Sequence, residues 1–380
     1  MRGSPVTKSP WRVFAVVFMI AAGACFVAGV EYYSVNDQQT TGRDFIQYWA
    51  IGRQLDHGAN PYDVPAIVAL EQSVGLGAAQ PRISLSPPTV LWPMLPLGLL
   101  SPRIGFIVWS FVELGCLSIA MWLLWRLNGC PESRIHLFTY AYAPALVCLM
   151  SGQLGIFLLL AVVSFLYLHP TRPALAGAAL LPCALKPHLF LVLVAVLLLW
   201  IVHRGTFRVL FGFLAALAAS CAITLAIDVH VWSQYFDMMH STRVLQVFIP
   251  TFGVVLRCLV DNKAPSLQFI PAAVGAVWAG WWFWTRRNRW DWMDQGLWLL
   301  LVSDVCAPYG YFTDECILLP FILAAFYRAT ASGRSFLPLA LINAAALIEV
   351  LAGVNIISPY FLWTTPAWLG WYLYAVRSKD

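Results

Sequence analysis

Polar side chains interrupt the apolar runs of this chain at a few positions, and these positions could carry chemistry. Ionisable groups in or beside membrane-length apolar segments are costly, so each one is a functional hypothesis by default. The candidates are carboxylates, cations, an amide and phenols: Asp44, Tyr48, Gln153, Lys186, His188, Arg257, Tyr309 and Asp314. Such a set combines a possible general base with cations suited to an anionic, phosphate-bearing substrate.

Asp44 opens a helical pattern that runs to His57, with Phe45, Tyr48 and Trp49 on an aromatic face that suits a membrane interface. Two interpretations of its carboxylate remain open. Asp44 either caps the N-terminus of this helix or acts as a general base where a lipid-borne substrate meets a polar acceptor. The spacing along the chain does not separate them.

Lys186 lies between apolar runs and is followed by Pro187, which ends or kinks a helix. An ammonium at such a break could bind a phosphate. Alternatively, the side chain extends to the membrane surface, as lysines at helix ends commonly do. His188 could assist Lys186 or simply lie at the interface. Arg257 is a second candidate phosphate ligand, or a surface charge.

Two further segments carry candidate substrate-binding groups. Gln153 stands in a Ser-Gly-Gln turn between two apolar runs, where it either forms the turn or contacts the substrate. Tyr309 and Asp314 belong to the run Ala-Pro-Tyr-Gly-Tyr-Phe-Thr-Asp-Glu at 307–315. Asp314 is a second carboxylate, an orienting partner for one of the two cations, or a surface charge.

The elements that must position these groups are transmembrane helices. Of the 380 residues, 60% are hydrophobic and 11% are charged, against about 25% charged in an ordinary soluble domain. Because span-length apolar runs recur from end to end, the sequence predicts an all-α, polytopic membrane helix bundle forming a single domain over residues 1–380. The scattered basic residues indicate topology and not a nucleic-acid surface. The nine cysteines show neither a disulfide framework nor a zinc motif.

The apolar runs predict about twelve spans, and their loops indicate sidedness. The spans are 11–33, 104–126, 135–150, 153–168, 173–186, 188–202, 208–227, 267–285, 293–307, 314–328, 335–352 and 358–376. With a cytoplasmic N-terminus, most Lys and Arg residues fall in inside loops and most carboxylates fall outside. We therefore expect an inner (plasma) membrane protein with both termini cytoplasmic and the candidate site extracytoplasmic.

Two polar or short segments do not fit simple spans. Residues 34–103 form the longest polar stretch, which we predict to be the first extracytoplasmic loop with interfacial helices. Its proline-rich end, from about 84 to 103, could be a short extra span, but the charge pattern favours an outside or partly embedded position. Residues 248–260 are apolar but too short to cross, so we place them on or in the outer leaflet.

A series of short motifs follows in order along the chain. They are Asp44-Phe45-x-x-Tyr48-Trp49-Ala50, Gly58-x-Asn60-Pro61-Tyr62-Asp63, Pro87-Pro88, Pro96-Leu97, Gly152-Gln153, Lys186-Pro187 and Pro308-Tyr309 with Asp314. Together with the long first outer loop, this series resembles glycosyltransferase family 87. That family is a branch of the GT-C superfamily and includes polyprenol-phosphate-mannose-dependent mannosyltransferases.

The resemblance implies a sugar donor carried on a polyprenyl phosphate, with mannose as the expected sugar, and a hydroxyl of a lipid or glycan acceptor. It implies a carboxylate base in the first outer loop, where Asp44 is the matching position, and inversion by one direct displacement. No nucleotide, metal or other cofactor is implied, and the first loop has no DxD motif. Lys186 and Arg257 would neutralise the departing phosphate. Residues 309–314 depart from the more polar, histidine-bearing segment of many relatives, which leaves the acceptor open.

Two other classes of protein compete with this interpretation. A transporter or flippase of lipid-linked sugars would bind the same ligand, but it would need polar residues through the membrane midplane. The predicted spans carry almost no ionisable side chain there except Glu113. A structural subunit would make Asp44 a helix cap, and Asp44→Asn, which keeps capping and removes the base, separates that class from an enzyme.

Overall fold

The fold described below is that of a computed structural model of the chain. The residues it describes are 44–75, 84–241, 249–354 and 358–376. The first predicted span, at 11–33, lies outside them.

The described residues form sixteen α-helices with short 3-10 turns between many of them, and this part of the chain contains no strand. The predicted all-α class is therefore confirmed. In chain order the helices are α1 Phe45–Asp56, α2 Val64–Ser73, α3 Leu95–Gly98, α4 Pro102–Leu127, α5 Ala143–Ser151, α6 Gly155–Leu168, α7 Pro173–Ala179, α8 Leu191–Arg204, α9 Phe207–Ile227, α10 Val231–Ser241, α11 Phe252–Val260, α12 Ile270–Arg286, α13 Gln295–Val305, α14 Leu319–Ala331, α15 Leu337–Leu351 and α16 Thr364–Val376.

Three helices are long and apolar enough to cross a membrane. They are α4, α9, and α8 together with the 3-10 turn that precedes it, Pro187–Arg204. Their bounds agree with the predicted spans to within two residues. Helix α9 turns large apolar side chains such as Phe211 and Leu214 outward, as a lipid-facing helix does. These three helices indicate a membrane protein.

Within the described residues, the other predicted spans coincide with shorter or interrupted helices, and prolines mark several of the interruptions. The span predicted at 135–150 begins as a 3-10 turn, Ile135–Ala141, and becomes α5 only at Ala143, with Pro144 in its first turn. Proline removes a backbone donor and is tolerated mainly in the first turn of a helix. Twelve full-length spans therefore remain a prediction.

Helix α1 lies inside the protein rather than on its surface. Phe45, Tyr48 and Trp49 are all buried, and the Phe45 ring packs 5.6 Å from Phe106 and 6.0 Å from Trp109 of α4, between ring centroids. The expectation that this aromatic face meets the membrane interface is therefore wrong. The aromatic rings instead anchor α1 to the spanning helix α4, and this holds Asp44 against the bundle.

Candidate active site

Asp44 occupies the N-cap position of α1, but its side chain makes no capping hydrogen bond. Its backbone N–H donates to Ser151 O at 3.1 Å. Its carboxylate Oδ2 accepts a hydrogen bond from Gln153 Nε2 at 2.9 Å, and the residue is 3% exposed. The capping interpretation therefore has no support, because the carboxylate is directed toward Gln153 and not toward the helix it precedes.

The turn between α5 and α6 brings Gln153 to this position. Gly152 ends α5 in the left-handed conformation, with φ of 69°, and a Cβ there would lie 2.6 Å from Phe45 Cβ. Only glycine fits both demands. The indole N–H of Trp109 in α4 donates to Gly152 O at 3.1 Å, so the turn is held from the opposite side as well.

The Gln153 side chain joins four partners, and these fix the orientation of its amide. Its Oε1 accepts from three donors: Tyr48 Oη at 3.4 Å, Leu154 N at 3.3 Å and Lys186 Nζ at 3.3 Å. Its Nε2 donates to the Asp44 carboxylate. Since donors surround the oxygen and an acceptor faces the nitrogen, the amide has one favourable orientation. Gln153 is therefore more than a turn former.

Lys186 pairs with Asp314 across the site. Its Nζ lies 2.7 Å from Asp314 Oδ1, and the two side chains are 12% and 1% exposed. Lys186 stands between two 3-10 turns, which end at Leu185 and begin at Pro187, so the helix breaks where proline predicts it. The lysine does not extend to the surface as the alternative interpretation proposed, and Asp314 is not a surface charge.

The segment that carries Asp314 forms a second wall of the site. Asp314 Oδ2 accepts from Tyr311 N at 3.0 Å, and Lys186 Nζ lies 5.2 Å from the centroid of the Tyr311 ring. Next to it, the His188 and Tyr309 rings stack with centroids 3.5 Å apart. Burial raises the pKa of the Tyr309 phenol above its ordinary value. Tyr309 is therefore a neutral hydrogen-bond donor at physiological pH.

Tyr48 is a second neutral phenol beside the Asp44 carboxylate. Burial, and then the charge of Asp44, raise the pKa of Tyr48 well above its ordinary value. Its ring stacks on Trp109 with centroids 5.5 Å apart. The Gln153 network is the name used below for five residues, the buried Asp44, Tyr48, Gln153 and Asp314 and the partly buried Lys186.

Arg257 lies outside the Gln153 network. The residue is 0% exposed in α11, and its Nη1 donates to Gln268 Oε1 at 3.3 Å. It is therefore not a surface charge, and Gln268, its hydrogen-bond partner among the described residues, is not a member of the Gln153 network. Helix α11 still borders the site, because the Thr251 hydroxyl that caps it also donates to Pro308 O at 3.3 Å.

Sequence reasoning missed a second carboxylate cluster, which begins at the residue after Asp314. Glu315 Oε2 accepts from the Trp368 indole N–H at 2.7 Å, and its Oε1 accepts from the hydroxyls of Thr364 and Thr365. Asp304 Oδ2 also lies within hydrogen-bond distance of the Thr365 hydroxyl, at 2.9 Å, so the two carboxyl groups share its one hydrogen. The acidic doublet at 314–315 was the only sequence signal. No group of three metal-binding side chains occurs in the described residues.

The Gln153 network has two chemically distinct ends. At one end a carboxylate, Asp44, can accept a proton from a hydroxyl. At the other end a buried ammonium, Lys186, can neutralise an anion. One amide connects them and holds both in place. The fold and this site define a class: a helical membrane protein with a carboxylate and an ammonium joined through a single glutamine.

A comparison with protein families makes the assignment more specific. The sequence model for glycosyltransferase family 87 matches residues 85–359, which is more than half of the chain, so the chain belongs to glycosyltransferase family 87. Membership indicates glycosyltransferase activity, with a sugar donor and an acceptor. The matched range contains Gln153, Lys186 and Asp314 and begins after Asp44. No curated protein and no solved structure matches the chain significantly.

Proposed function

We propose that this protein is a membrane hexosyltransferase that moves a sugar, mannose, from a polyprenyl phosphate to a hydroxyl of a lipid or glycan acceptor. It needs no metal or other cofactor, and it works at the extracytoplasmic face of the inner (plasma) membrane. The observation that carries the proposal is the position of Gln153, whose amide binds the Asp44 carboxylate with Nε2 and the Lys186 ammonium with Oε1.

In the proposed reaction Asp44 is the general base. It takes the proton of the acceptor hydroxyl while that oxygen forms a bond to the anomeric carbon. The bond from the anomeric carbon to the phosphate oxygen breaks in the same step, and polyprenyl phosphate leaves with the electron pair. Attack opposite the leaving group inverts the anomeric configuration. Asp44 suits this role because its carboxylate is buried at the start of α1 and is held in place by Gln153 Nε2.

Lys186 takes the other role, at the leaving phosphate. The phosphate gains negative charge as the glycosidic bond breaks, and a preorganised ammonium in a poorly hydrated site stabilises that charge most where it develops. Asp314 and Gln153 hold the ammonium in place before the donor binds. His188 and Tyr309 line the same wall, and Tyr309 is a neutral donor for sugar or phosphate oxygens.

Arg257 has a less direct place in this proposal than the sequence suggested. Because its guanidinium is buried against Gln268, we assign it a contribution to the positive potential near the donor phosphate. The extracytoplasmic location is supported by the charge pattern of the loops, which places basic residues on the opposite face.

The test compares two aspartates that both stand at N-cap positions. Asp44 makes no cap bond, whereas the side chain of Asp63 caps α2 by accepting from Ala66 N at 3.3 Å. Sugar transfer is measured in liposomes from radiolabelled polyprenyl-phosphate sugars to a membrane lipid extract. We expect Asp44→Asn to lower kcat by about 10²- to 10⁴-fold and Asp63→Asn to leave it unchanged.

The outcomes separate the competing functions. Equal transfer by Asp44→Asn and the native protein would remove Asp44 from the mechanism. Absence of transfer with every donor, together with movement of the labelled donor between leaflets, would instead identify a flippase. Product analysis completes the test, because retention of the donor's anomeric configuration would exclude single displacement.

A further inference from the structure

Glu113 lies in the middle of the membrane-length helix α4 and is 0% exposed. Its Oε2 has no hydrogen-bond partner in the described part of the chain, and none of the ion pairs formed by the described residues includes it. A carboxyl group buried at this depth is costly and is a functional hypothesis by default. The proposed transfer reaction does not use it.

A chain of contacts links Glu113 to the Gln153 network. Glu113 Oε1 and Cys148 Sγ lie 3.9 Å apart, and the Cys148 thiol donates to Gln153 O at 3.0 Å. The backbone N–H of Gln153 donates in return to Cys148 O at 3.1 Å. One turn earlier in α4, Trp109 holds the neighbouring Gly152 O. The same face of α4 therefore supports both residues of the turn that presents the Gln153 side chain.

The hydrogens available to these contacts favour the neutral form of the Glu113 carboxyl group. A thiol has one hydrogen, and a carbonyl oxygen can only accept. Because the Cys148 hydrogen has the closer acceptor in Gln153 O, at 3.0 Å against 3.9 Å for Glu113 Oε1, the contact with Glu113 becomes a hydrogen bond only when the carboxyl group supplies the hydrogen. The carboxylic acid satisfies that contact, whereas a carboxylate would leave two acceptors facing each other. None of the ion pairs of the described residues includes Glu113, and a buried carboxyl group outside an ion pair is better accommodated in its neutral form.

We propose that Glu113 is a positioning residue for the sugar transfer: as a carboxylic acid it orders Cys148, which in turn fixes the turn that aims Gln153 at Asp44 and Lys186. This inference rests on the proposed function for its kinetic consequence, although its structural consequence does not. Glu113 touches no reacting atom. It affects sugar transfer by fixing the position of the Gln153 side-chain amide.

The first test uses three substitutions in α4. Glu113→Gln keeps a neutral donor for Cys148, Glu113→Leu has similar volume without one, and Val112→Leu changes an exposed side chain of the same helix. We expect Leu at 113 to lower kcat about five- to tenfold with KM nearly constant, as for one lost hydrogen bond. The Gln variant should retain native kcat, and so should Val112→Leu. A Leu variant with native kcat, or a Gln variant as poor as Leu, would overturn the proposal.

A double-mutant cycle tests the route of the effect. If Glu113 acts through Gln153, then Glu113→Leu should cost little further activity once Gln153→Ala has removed the amide. The two losses would then be strongly non-additive. Full additivity would show that Glu113 affects transfer by another route and would overturn the assignment.

Hydrogen exchange gives a readout that does not depend on activity. In detergent, the amides of Asp44, Gln153 and Leu154, which are bonded within or onto the turn, should exchange faster in Glu113→Leu and at native rates in Glu113→Gln. Unchanged exchange in the Leu variant would overturn the proposal even if the protein transferred no sugar. If Glu113→Leu exchanges faster but the native protein transfers no sugar, the positioning role is supported and only the proposed reaction is contradicted.

Discussion

Asp314 and Glu315 are neighbours in one 3-10 turn, Phe312–Leu318, yet their carboxyl groups are satisfied in opposite ways. Asp314 faces a cation, with Lys186 Nζ at 2.7 Å. Glu315 faces neutral donors, the Trp368 indole and two threonine hydroxyls. Because a 3-10 helix has about three residues per turn, consecutive side chains point about 120° apart. The turn therefore sends one carboxylate into the Gln153 network and the other toward α16.

In the proposed reaction, this difference separates a group that takes part in the transfer from a structural contact. A cation held beside a carboxylate can respond to a new negative charge by shifting its interaction toward it, and this is what a leaving phosphate requires. Glu315 is instead bonded to neutral donors, and these contacts join α16 to the rest of the bundle without a cation. The partners of a buried acidic residue in this protein, and not its position in the sequence, therefore indicate whether its role is in the proposed reaction or in the fold.

The largest expected effect follows from removing the cation. Lys186→Met keeps most of the apolar part of the side chain and deletes its charge. The leaving phosphate of the proposed reaction then loses its counter-ion, and Asp314 is left buried without its cation. We expect kcat to fall by about 10²- to 10³-fold and thermal stability to fall as well. Both are measured on the same detergent preparation, by transfer of labelled sugar and by thermal unfolding.

Two further proteins separate the lost charge from damage to the fold. Lys263→Met changes an exposed lysine and should leave transfer and stability unchanged. Adding Asp314→Asn to Lys186→Met removes the unpaired carboxylate, so stability should recover while transfer stays low. Recovery of transfer in the double variant would mean that Lys186 serves the fold and not the phosphate.

A middle-sized effect distinguishes the neighbouring carboxylates directly. Asp314→Asn weakens the restraint on Lys186, and we expect about a tenfold loss of kcat, as for a charge-assisted hydrogen bond. Glu315→Gln keeps the shape of the side chain and one of its two acceptor oxygens, and its kcat should stay within about threefold of native. The two variants are compared in one transfer assay over a range of donor concentrations.

Replacing Glu315 by an apolar residue tests its contribution to stability. Glu315→Leu leaves the Trp368 N–H without an acceptor, at a cost of about 1–3 kcal/mol. The hydroxyls of Thr364 and Thr365 keep Phe361 O and Asp304 Oδ2 as acceptors. Thermal unfolding of this variant and of Asp314→Asn measures the contrast. A large loss of kcat in Glu315→Gln would place Glu315 in the reaction and remove the distinction between the two clusters.

Much of the architecture follows from the sequence because apolar length is a local property. The three membrane-length helices were predicted to within two residues, since an uninterrupted apolar run has few other solutions in a bilayer. The break at Lys186 followed from Pro187 for the same local reason. The shorter helices were harder to predict, because proline at 144 and similar positions converts an apolar run into two elements.

The site was only partly predictable, because its partners are distant in the chain. Asp44, Lys186 and Asp314 were singled out as costly ionisable groups. In the structure Gln153 bonds to Asp44 and Lys186, and Lys186 bonds in turn to Asp314. Nothing local indicated that Arg257 would bond to Gln268 instead. The aromatic face of α1 was misassigned since period and composition look the same whether a face meets lipid or another helix.

The smallest expected effect concerns Tyr48, the neutral donor of the Gln153 network. Its hydrogen bond to Gln153 Oε1 is long, at 3.4 Å, and Tyr48→Phe keeps the stacking on Trp109, so we expect at most about a threefold loss of kcat.

Burial and the Asp44 charge raise the pKa of Tyr48 well above its ordinary value. The phenol therefore stays neutral at neutral pH, and its contribution to stability is lost only as the pH rises through and above about 10. Tyr48→Phe and the native protein should accordingly share one pH–rate profile between about pH 6 and 9. A profile that differs between the two in this window would show that Tyr48 exchanges a proton during transfer, and the neutral partners of the network would then be as reactive as the charged ones.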